Sequence, residues 1–156
     1  MLIKTCEIKD LYSLIEMWGK LSDYHRNLIG YMSPSYSYKE IMNRHFREDL
    51  ANPGVKILIA IENDKIVGFI RGELMANSKL FDGALYGYIS DIYVEEDYRG
   101  LNIADELLRE IICWFKDSEI CTIRLNVNPQ NYRAIGFYQR YGFEEVNKTL
   151  ALKLYE

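Results

Sequence analysis

The stretch ISDIYVEEDYRGLNIADELLREI, residues 89–111, says more about the fold than any other part of the chain. It begins with β-branched and aromatic residues, which favour a strand that ends near Val94. The apolar residues that follow recur at helical spacing and are Ala104, Leu107, Leu108, Ile111, Ile112 and Phe115. The stretch therefore predicts a strand, a turn over residues 99–104 and a long amphipathic helix.

The turn between this strand and this helix has the chemistry of an anion-binding loop. A helix N-terminus presents unpaired backbone N–H groups and the positive end of the helix dipole, and both stabilise a phosphate group. Gly100, Asn102 and Ala104 are small or tolerate a left-handed backbone, so the main chain can approach an anion closely. On these local features alone, an ordinary strand-to-helix turn explains the residues equally well.

Other nucleotide-binding and hydrolytic motifs are absent from the sequence. It contains no G-x-G-x-x-G, no P-loop, no G-x-S-x-G elbow and no H-E-x-x-H helix. Cys6, Cys113 and Cys121 stand in no C-x-x-C spacing, which argues against a zinc site or a disulfide framework and is typical of a reducing compartment. We therefore expect no metal and a cytoplasmic location.

The rest of the chain reads as alternating strands and helices. Strands are predicted over residues 2–7, 55–61, 66–74, 85–94, 122–127, 143–146 and 149–154, and helices over residues 11–21, 38–49, 104–115 and 132–141. Asp10 is placed to cap the first helix, and a break is predicted over residues 33–37 around Pro34. The order β-α-α-β-β-β-α-β-α-β-β predicts one mixed α/β (α+β) domain over residues 1–156, with a mostly antiparallel central sheet flanked by helices.

Composition excludes several classes of protein. The chain has 156 residues, of which 49% are hydrophobic and 27% charged, as in ordinary globular domains. Its formal charge is −4 without a lysine or arginine cluster, so we expect no nucleic-acid partner. No apolar stretch approaches the ~18 residues of a membrane span, so we expect no membrane partner. Residues 62–97 hold eight acids and three bases, which suits either a cationic substrate or a solvated face.

A second informative stretch is LNVNPQNYRAIGFYQRYGFEEV, residues 125–146. Asn131 is placed to cap the helix that follows it, and its side chain would also be available to a ligand. Tyr138 comes seven residues later, two helical turns along, so both side chains would lie on the same side of the helix. A tyrosine in such a position is more often a packed aromatic residue than a functional one.

Together, the two stretches resemble the GNAT superfamily of N-acetyltransferases. The family's pyrophosphate loop, Arg/Gln-x-x-Gly-x-Gly/Ala, corresponds to residues 99–104, with Asn102 in place of the middle glycine. The family's next motif, an asparagine followed by a helix and a phrase like FYxxxGF, corresponds to Asn131 and the segment FYQRYGF at 137–143. The resemblance is strong over residues 55–146 and only topological over residues 1–54.

The resemblance implies direct transfer of an acetyl group from acetyl-CoA, as cosubstrate, to the primary amine of a small molecule or peptide. The pantetheine arm would pair like an extra strand with backbone groups of Ile92, Tyr93 and Val94. The pyrophosphate would be held by the backbone of Gly100, Leu101, Asn102, Ile103 and Ala104, with help from Arg99. Asn131 would contact the pantetheine side of the cosubstrate, and Tyr138 would protonate the departing thiolate.

The proton acceptor is left open by the sequence. An alkyl ammonium group, with a pKa of ~10.4, must lose a proton before it attacks a thioester. Some relatives carry a glutamate where this chain has Ser90, so Asp91, Glu73 or a water molecule are the candidates.

The acceptor region and the assembly are also open. In the family, the first two helices and the neighbouring loops form a variable acceptor cap. Here that region holds aromatic side chains suited either to a cation or to a core: Tyr24, His25, Tyr31, Tyr36 and Tyr38. The alternative to an enzyme is a non-catalytic acyl-CoA-binding or sensing domain of the same fold. A homodimer is compatible with either function.

Overall fold

A computed structural model describes residues 1–29, 35–81, 83–152 and 154 of the chain. The helices and strands in these ranges are β1 (Leu2–Thr5), α1 (Leu11–Ile29), α2 (Tyr38–Ala51), β2 (Val55–Glu62), β3 (Lys65–Ala76), β4 (Leu85–Val94), α3 (Ile103–Asp117), β5 (Ile123–Leu125) and α4 (Tyr132–Gln139). They fall into two compact units, residues 1–126 and residues 127–156. Tyr31, Lys153 and part of the break predicted over 33–37 lie outside the described residues.

The first unit contains a five-stranded sheet in the order β1-β2-β3-β4-β5. The first four strands pair antiparallel with their neighbours, whereas β5 pairs parallel with β4. Parallel neighbours need a crossover connection, and α3 supplies it between β4 and β5. The sheet confirms the predicted mixed α/β fold with a mostly antiparallel centre.

The two faces of the sheet are covered by different helices. On one face, Ile57, Ile59, Phe69 and Tyr93 form a core cluster with apolar side chains of the first two helices. On the other face, α3 lies so close that a Cβ atom built at Gly72 would stand 2.8 Å from the ring of Phe115. A side chain at this position would push α3 away from the sheet, so the close packing requires glycine there.

The two closing strands predicted over residues 143–146 and 149–154 are wrong for the described residues of these segments, which form no strand. Val146, Leu150 and Leu152 stand at even-numbered positions and would share one face of a strand, yet their exposure is 81%, 92% and 83%. A strand forms only when its backbone groups pair with a neighbour, and the described part of the second unit contains no strand that could serve as one.

The predicted cap of α1 is also corrected. A short 3₁₀ turn, Ile8–Asp10, precedes the helix and contains Asp10. The Asp10 carboxylate accepts hydrogen bonds from the Glu7 backbone N–H at 2.9 Å and from the Lys4 ammonium at 2.7 Å. Asp10 therefore holds the chain that enters this turn, where a capping residue would have bonded forward to α1.

The described helices include none whose length and apolar character would let it cross a bilayer.

Candidate active site

The strand β4 continues beyond the end of β5. The parallel ladder between them pairs Gly87, Tyr88 and Ile89 with Ile123, Arg124 and Leu125. It stops there, while β4 runs on to Val94. Within the described residues of the first unit, the edge of β4 over residues 90–94 therefore has no ladder partner on the side of β5. This is the edge on which the family resemblance implies an extended ligand.

The register of β4 on β3 determines which backbone groups point to this open edge. The Glu95 N–H donates to the Val67 carbonyl at 2.9 Å, which makes these two residues a hydrogen-bonded pair. Such pairs alternate along an antiparallel ladder, so the next one is formed by Tyr93, whose backbone faces β3. Ile92 and Val94 direct their backbone groups to the open edge. Of the three residues predicted for the pantetheine arm, Ile92 therefore presents both backbone groups to this edge, and Val94 presents its N–H, because the Val94 carbonyl accepts a hydrogen bond from Arg99.

The turn after β4 has the backbone geometry expected of an anion loop. Gly100 has φ 84°, and Asn102 has φ 61° and ψ 12°, which is the left-handed helical conformation. Asn102 thus adopts the conformation for which asparagine is better suited than most residues with a side chain. Its side chain makes no capping hydrogen bond to α3, which begins at Ile103. The first backbone N–H groups of α3 are therefore not occupied by this cap.

Arg99 braces the turn against the end of β4. Its Nε donates to the Val94 carbonyl at 3.0 Å, and one terminal nitrogen lies 3.3 Å from the Glu96 carboxylate. The guanidinium also stands over the Tyr93 ring, 5.7 Å from its centroid. The side chain that the family resemblance assigns to the pyrophosphate therefore also fixes the loop to the strand before it.

A β-bulge interrupts β4 beside the open edge. In the ladder with β3, Asp91 pairs with Arg71 and Ile89 pairs with Gly72, which leaves Ser90 as the extra residue. Bulges redirect side chains and are common next to active sites. The Ser90 hydroxyl donates to the Asp91 carboxylate at 2.6 Å.

Arg71 lies at the centre of a hydrogen-bonded network on this face of the sheet. It is only 5% exposed, and its fork bonds both oxygens of Asp49 of α2, at 2.7 and 2.8 Å. It also bonds Glu73 at 3.1 Å and the Ser90 hydroxyl at 3.1 Å. Burial lowers the pKa of Arg71, but the hydrogen bonds that Arg71 donates to Asp49 and Glu73 outweigh this effect and raise the pKa above its ordinary value. The guanidinium is therefore a fixed positive charge.

The two carboxylates that are candidates for the base differ in their surroundings. Glu73 is paired with Arg71, whereas Asp91 has no cationic partner within salt-bridge distance among the described residues. Tyr88 lies near both: burial raises its pKa, a hydrogen bond from Asn126 at 3.1 Å opposes this, and the charges of Asp91 and Glu73 raise it further. Asp91 is thus the less neutralised carboxylate on this face.

The second unit contains the other two predicted site residues. Asn131 caps α4 as predicted, since its side-chain oxygen accepts a hydrogen bond from the Ala134 N–H at 3.2 Å. Tyr138 is 7% exposed, and its ring packs edge-on against Phe137 and Phe143 at 5.3 and 5.4 Å between centroids. The ring of Tyr138 is therefore held rigidly within its own unit.

The aromatic residues of the predicted acceptor cap divide between packing and exposure. Tyr38 packs against Trp18, with ring centroids 5.9 Å apart, and so belongs to the core side of the cap. Tyr36 is fully exposed. His45, which lies on α2, is 3.4 Å from the Asp49 carboxylate. Across the described ranges, no group of three histidine, cysteine or acidic side chains is arranged to hold a metal ion.

The comparison with protein families agrees with this geometry. Residues 16–143 match the family model described as the Acetyltransferase (GNAT) family. The match includes the open edge of β4, the turn after it and α4. The chain therefore belongs to the GNAT acetyltransferase family.

Curated relatives carry N-acetyltransferase names. An uncharacterised N-acetyltransferase of Methanocaldococcus jannaschii is 28% identical over 92% of this chain and 63% of its own length. A second, from Pyropia yezoensis, is 29% identical over 58% of this chain and 55% of its own length. The chain thus spans less than two thirds of the length of these two relatives.

Solved structures share the fold. A tetramutant of a Bacillus halodurans protein superposes with a TM-score of 0.87 at 24% identity, covering 99% of this chain and 100% of that one. A Clostridium acetobutylicum protein described as a predicted acetyltransferase, solved with acetyl-CoA, has a TM-score of 0.74 at 24% identity, covering 98% and 96%. At this identity the likeness establishes the fold alone.

Proposed function

We propose that this chain is an N-acetyltransferase that transfers the acetyl group of acetyl-CoA directly to a primary amine of a small molecule or peptide. The observation that carries the proposal is the open edge of β4 at Ile92 and Val94, which leads directly into the left-handed turn before α3. An extended pantetheine arm requires free backbone groups in a row, and a pyrophosphate requires N–H groups at a helix start. The first unit offers both in sequence along the chain.

Different residues would bind different parts of the cosubstrate, which supplies an activated acetyl thioester. Backbone groups of Ile92 and Val94 would pair with the pantetheine arm, and an N–H at this edge would stabilise negative charge on the thioester oxygen. Backbone N–H groups over residues 100–104 would bond the pyrophosphate. By the family resemblance, Asn131 would contact the pantetheine side of the cosubstrate.

Asp91 is our candidate for the proton acceptor, either directly or through a water molecule. The amine must lose its proton to become a nucleophile, and a carboxylate within reach favours this loss. Glu73 is the weaker candidate because its charge is already balanced by Arg71. Direct transfer requires no nucleophilic residue, and buried Cys6 is unsuited to that role, since burial raises its pKa to about 12.

Tyr138 is our candidate for the proton donor. A thiolate is a better leaving group when a hydroxyl donates a proton to it, and a rigidly packed phenol loses little freedom in doing so. The edge-on contacts with Phe137 and Phe143 hold the ring, so the hydroxyl has a defined position in its unit. Location in the cytoplasm and assembly as a homodimer stay predictions from the sequence.

Two measurements test the proposal in order. First, acetyl-CoA should raise the thermal unfolding temperature, because a ligand that binds only the native state stabilises it. Second, release of free thiol should be followed with acetyl-CoA and a panel of polyamines, amino acids, aminoglycosides and peptides. Thiol release with one of these amines supports an enzyme. Binding without release across the panel would favour the non-catalytic acyl-CoA-binding alternative, and no binding would overturn both.

A further inference from the structure

We propose that Arg71 is a positioning residue for acetyl transfer: held by the buried carboxylate of Asp49, it fixes Ser90 in the bulge of β4 beside Asp91 and the open edge. The inference rests on the proposed function, because it concerns the placement of groups at the same site. It adds a link between α2, in the acceptor cap, and the strand that would hold the thioester.

The bulge needs such a link because its extra residue has no partner in the ladder. Ser90 is solvent-exposed, and exposed serines ordinarily bond water in many orientations. Here its hydroxyl makes two directed contacts, accepting from Arg71 at 3.1 Å and donating to Asp91 at 2.6 Å. The donor and acceptor functions of the hydroxyl are both used, so its rotation is restricted. The Asp91 carboxylate is thereby held next to Ile92.

Arg71 is fit to anchor the bulge because it is itself fixed. Its planar fork bonds two oxygens of Asp49 at 2.7 and 2.8 Å, a bidentate geometry that a lysine cannot reproduce. Both side chains are more than 90% buried. The Asp49 contacts on one side of the guanidinium therefore fix the position of the nitrogen on its other side, which donates to Ser90.

The link also connects two elements that are far apart in sequence. Asp49 belongs to the last turn of α2, whereas Ser90 belongs to β4. A displacement of α2 would therefore move Arg71, and with it the hydroxyl that orients Asp91. Packing between apolar side chains would hold α2 on the sheet without any bond to Ser90, so the contact to Ser90 is what indicates a role in positioning.

The test measures binding, so it does not depend on knowing the amine. Acetyl-CoA and CoA share every group except the acetyl, so the ratio of their affinities reports the contacts that the acetyl group makes. If the proposal is correct, these contacts lie at the bulge of β4. By calorimetric titration, Ser90→Ala and Arg71→Lys should each lower the preference for acetyl-CoA about 3- to 10-fold, the effect of one lost hydrogen bond. Ser90→Thr keeps the hydroxyl and should retain the preference.

The double variant separates one shared link from two independent effects. If Arg71 acts through Ser90, the Ser90→Ala/Arg71→Lys protein should be no worse than either single variant, because groups in one network are not additive. Ser78→Ala is the matched control, since it removes an exposed serine hydroxyl that caps a turn away from this network. Its affinity ratio should equal that of the wild type.

The outcomes distinguish this inference from the proposed function. A wild type that binds neither ligand overturns both proposals. If the wild type binds both ligands, three results would overturn the positioning role alone. These are a wild type that binds acetyl-CoA no more tightly than CoA, a single variant of either kind that keeps the full preference for acetyl-CoA, and effects of the two substitutions that add. If Arg71→Lys does not fold, Asp49→Leu with Arg71→Met removes both buried charges together and should show the same reduced ratio.

Discussion

The two sides of β4 present different kinds of chemical groups to a ligand. Along its open edge, Ile92 offers its backbone N–H and carbonyl and Val94 offers its N–H, all of them groups that any residue would provide. On the face toward α2, the strand presents the side chains of Ser90 and Asp91, held by Arg71. The edge thus exists because β5 ends before β4 does, whereas the chemistry of the face depends on which side chains stand there.

This difference predicts how the two sides respond to substitution. The edge should respond to changes in backbone geometry and show its response in affinity for acetyl-CoA. The face should respond to changes in single functional groups and show its response in the preference for acetyl-CoA over CoA, in amine chemistry or in stability. The following variants test this division, from the largest expected effect to the smallest.

Asp91→Asn removes the proposed proton acceptor from the face and leaves the edge intact. With an accepted amine, kcat should fall by about 10²–10⁴-fold, the usual contribution of general base catalysis. The dissociation constant for acetyl-CoA should stay within about twofold, since no edge contact is removed and the asparagine oxygen can still accept the hydrogen bond from Ser90. Single-turnover rates and calorimetric titration measure the two quantities. Glu73→Gln is the control, and a larger loss there than at Asp91 would reverse the assignment.

Tyr138→Phe removes one hydroxyl and keeps the ring that packs against Phe137 and Phe143. The single-turnover rate should fall by about 10²–10⁴-fold if the phenol donates the proton to sulfur. The melting temperature and the affinity for acetyl-CoA should change little. A variant of native stability with an unchanged rate would return Tyr138 to a packing role.

Asp49→Ala tests the buried end of the network. It leaves the charge of Arg71 buried with only the partly exposed Glu73 carboxylate as a counter-ion, and we expect a loss of about 3–5 kcal/mol in the free energy of unfolding. Urea denaturation measures this loss. Asp49→Leu with Arg71→Met should be much closer to the wild type, because both buried charges are removed together and Glu73, which loses its partner, is partly exposed. Equal destabilisation of the single and the double variant would show that packing volume, not charge, dominates at this site.

The features confirmed from the sequence are those set by local patterns. The spacing of apolar residues predicted α3, and β4 has the same bounds, residues 85–94, that its β-branched and aromatic residues predict. The cap at Asn131 was predicted from its position before a helix. Each of these depends on a few neighbouring residues, so a short window contains the information.

The network around Arg71 was not predicted because it depends on contacts between distant residues. Asp49 and Arg71 are 22 residues apart and lie in different elements. The bulge at Ser90 is a property of the register between two strands, and no single strand specifies it. One signal was present: Arg71 stands two residues after Phe69, and therefore on the core-facing side of β3, where a charged residue needs a partner.

The same distinction explains the segment after α4. Alternating apolar residues such as Leu150 and Leu152 predict strands, but the pattern states only that a strand would have two different faces. Whether a strand forms depends on a neighbour that supplies backbone partners. The described part of the second unit holds α4 without a strand beside it, so the prediction failed at the pairing step.

Asn102 gives the smallest expected effect and tests the edge through backbone geometry alone. Its φ of 61° suits glycine, so Asn102→Gly should keep or tighten the affinity for acetyl-CoA. Asn102→Val should weaken binding by about tenfold, since the left-handed conformation costs about 1–2 kcal/mol for a residue with a Cβ, and β-branching adds to this. Glu119 has φ 59° and lies after the end of α3, so Glu119→Val imposes the same strain away from the loop. That control should lower stability without changing the affinity measured by titration. If Asn102→Gly and Asn102→Val bind acetyl-CoA equally well, the turn does not need this geometry, and the edge is less dependent on backbone conformation than we propose.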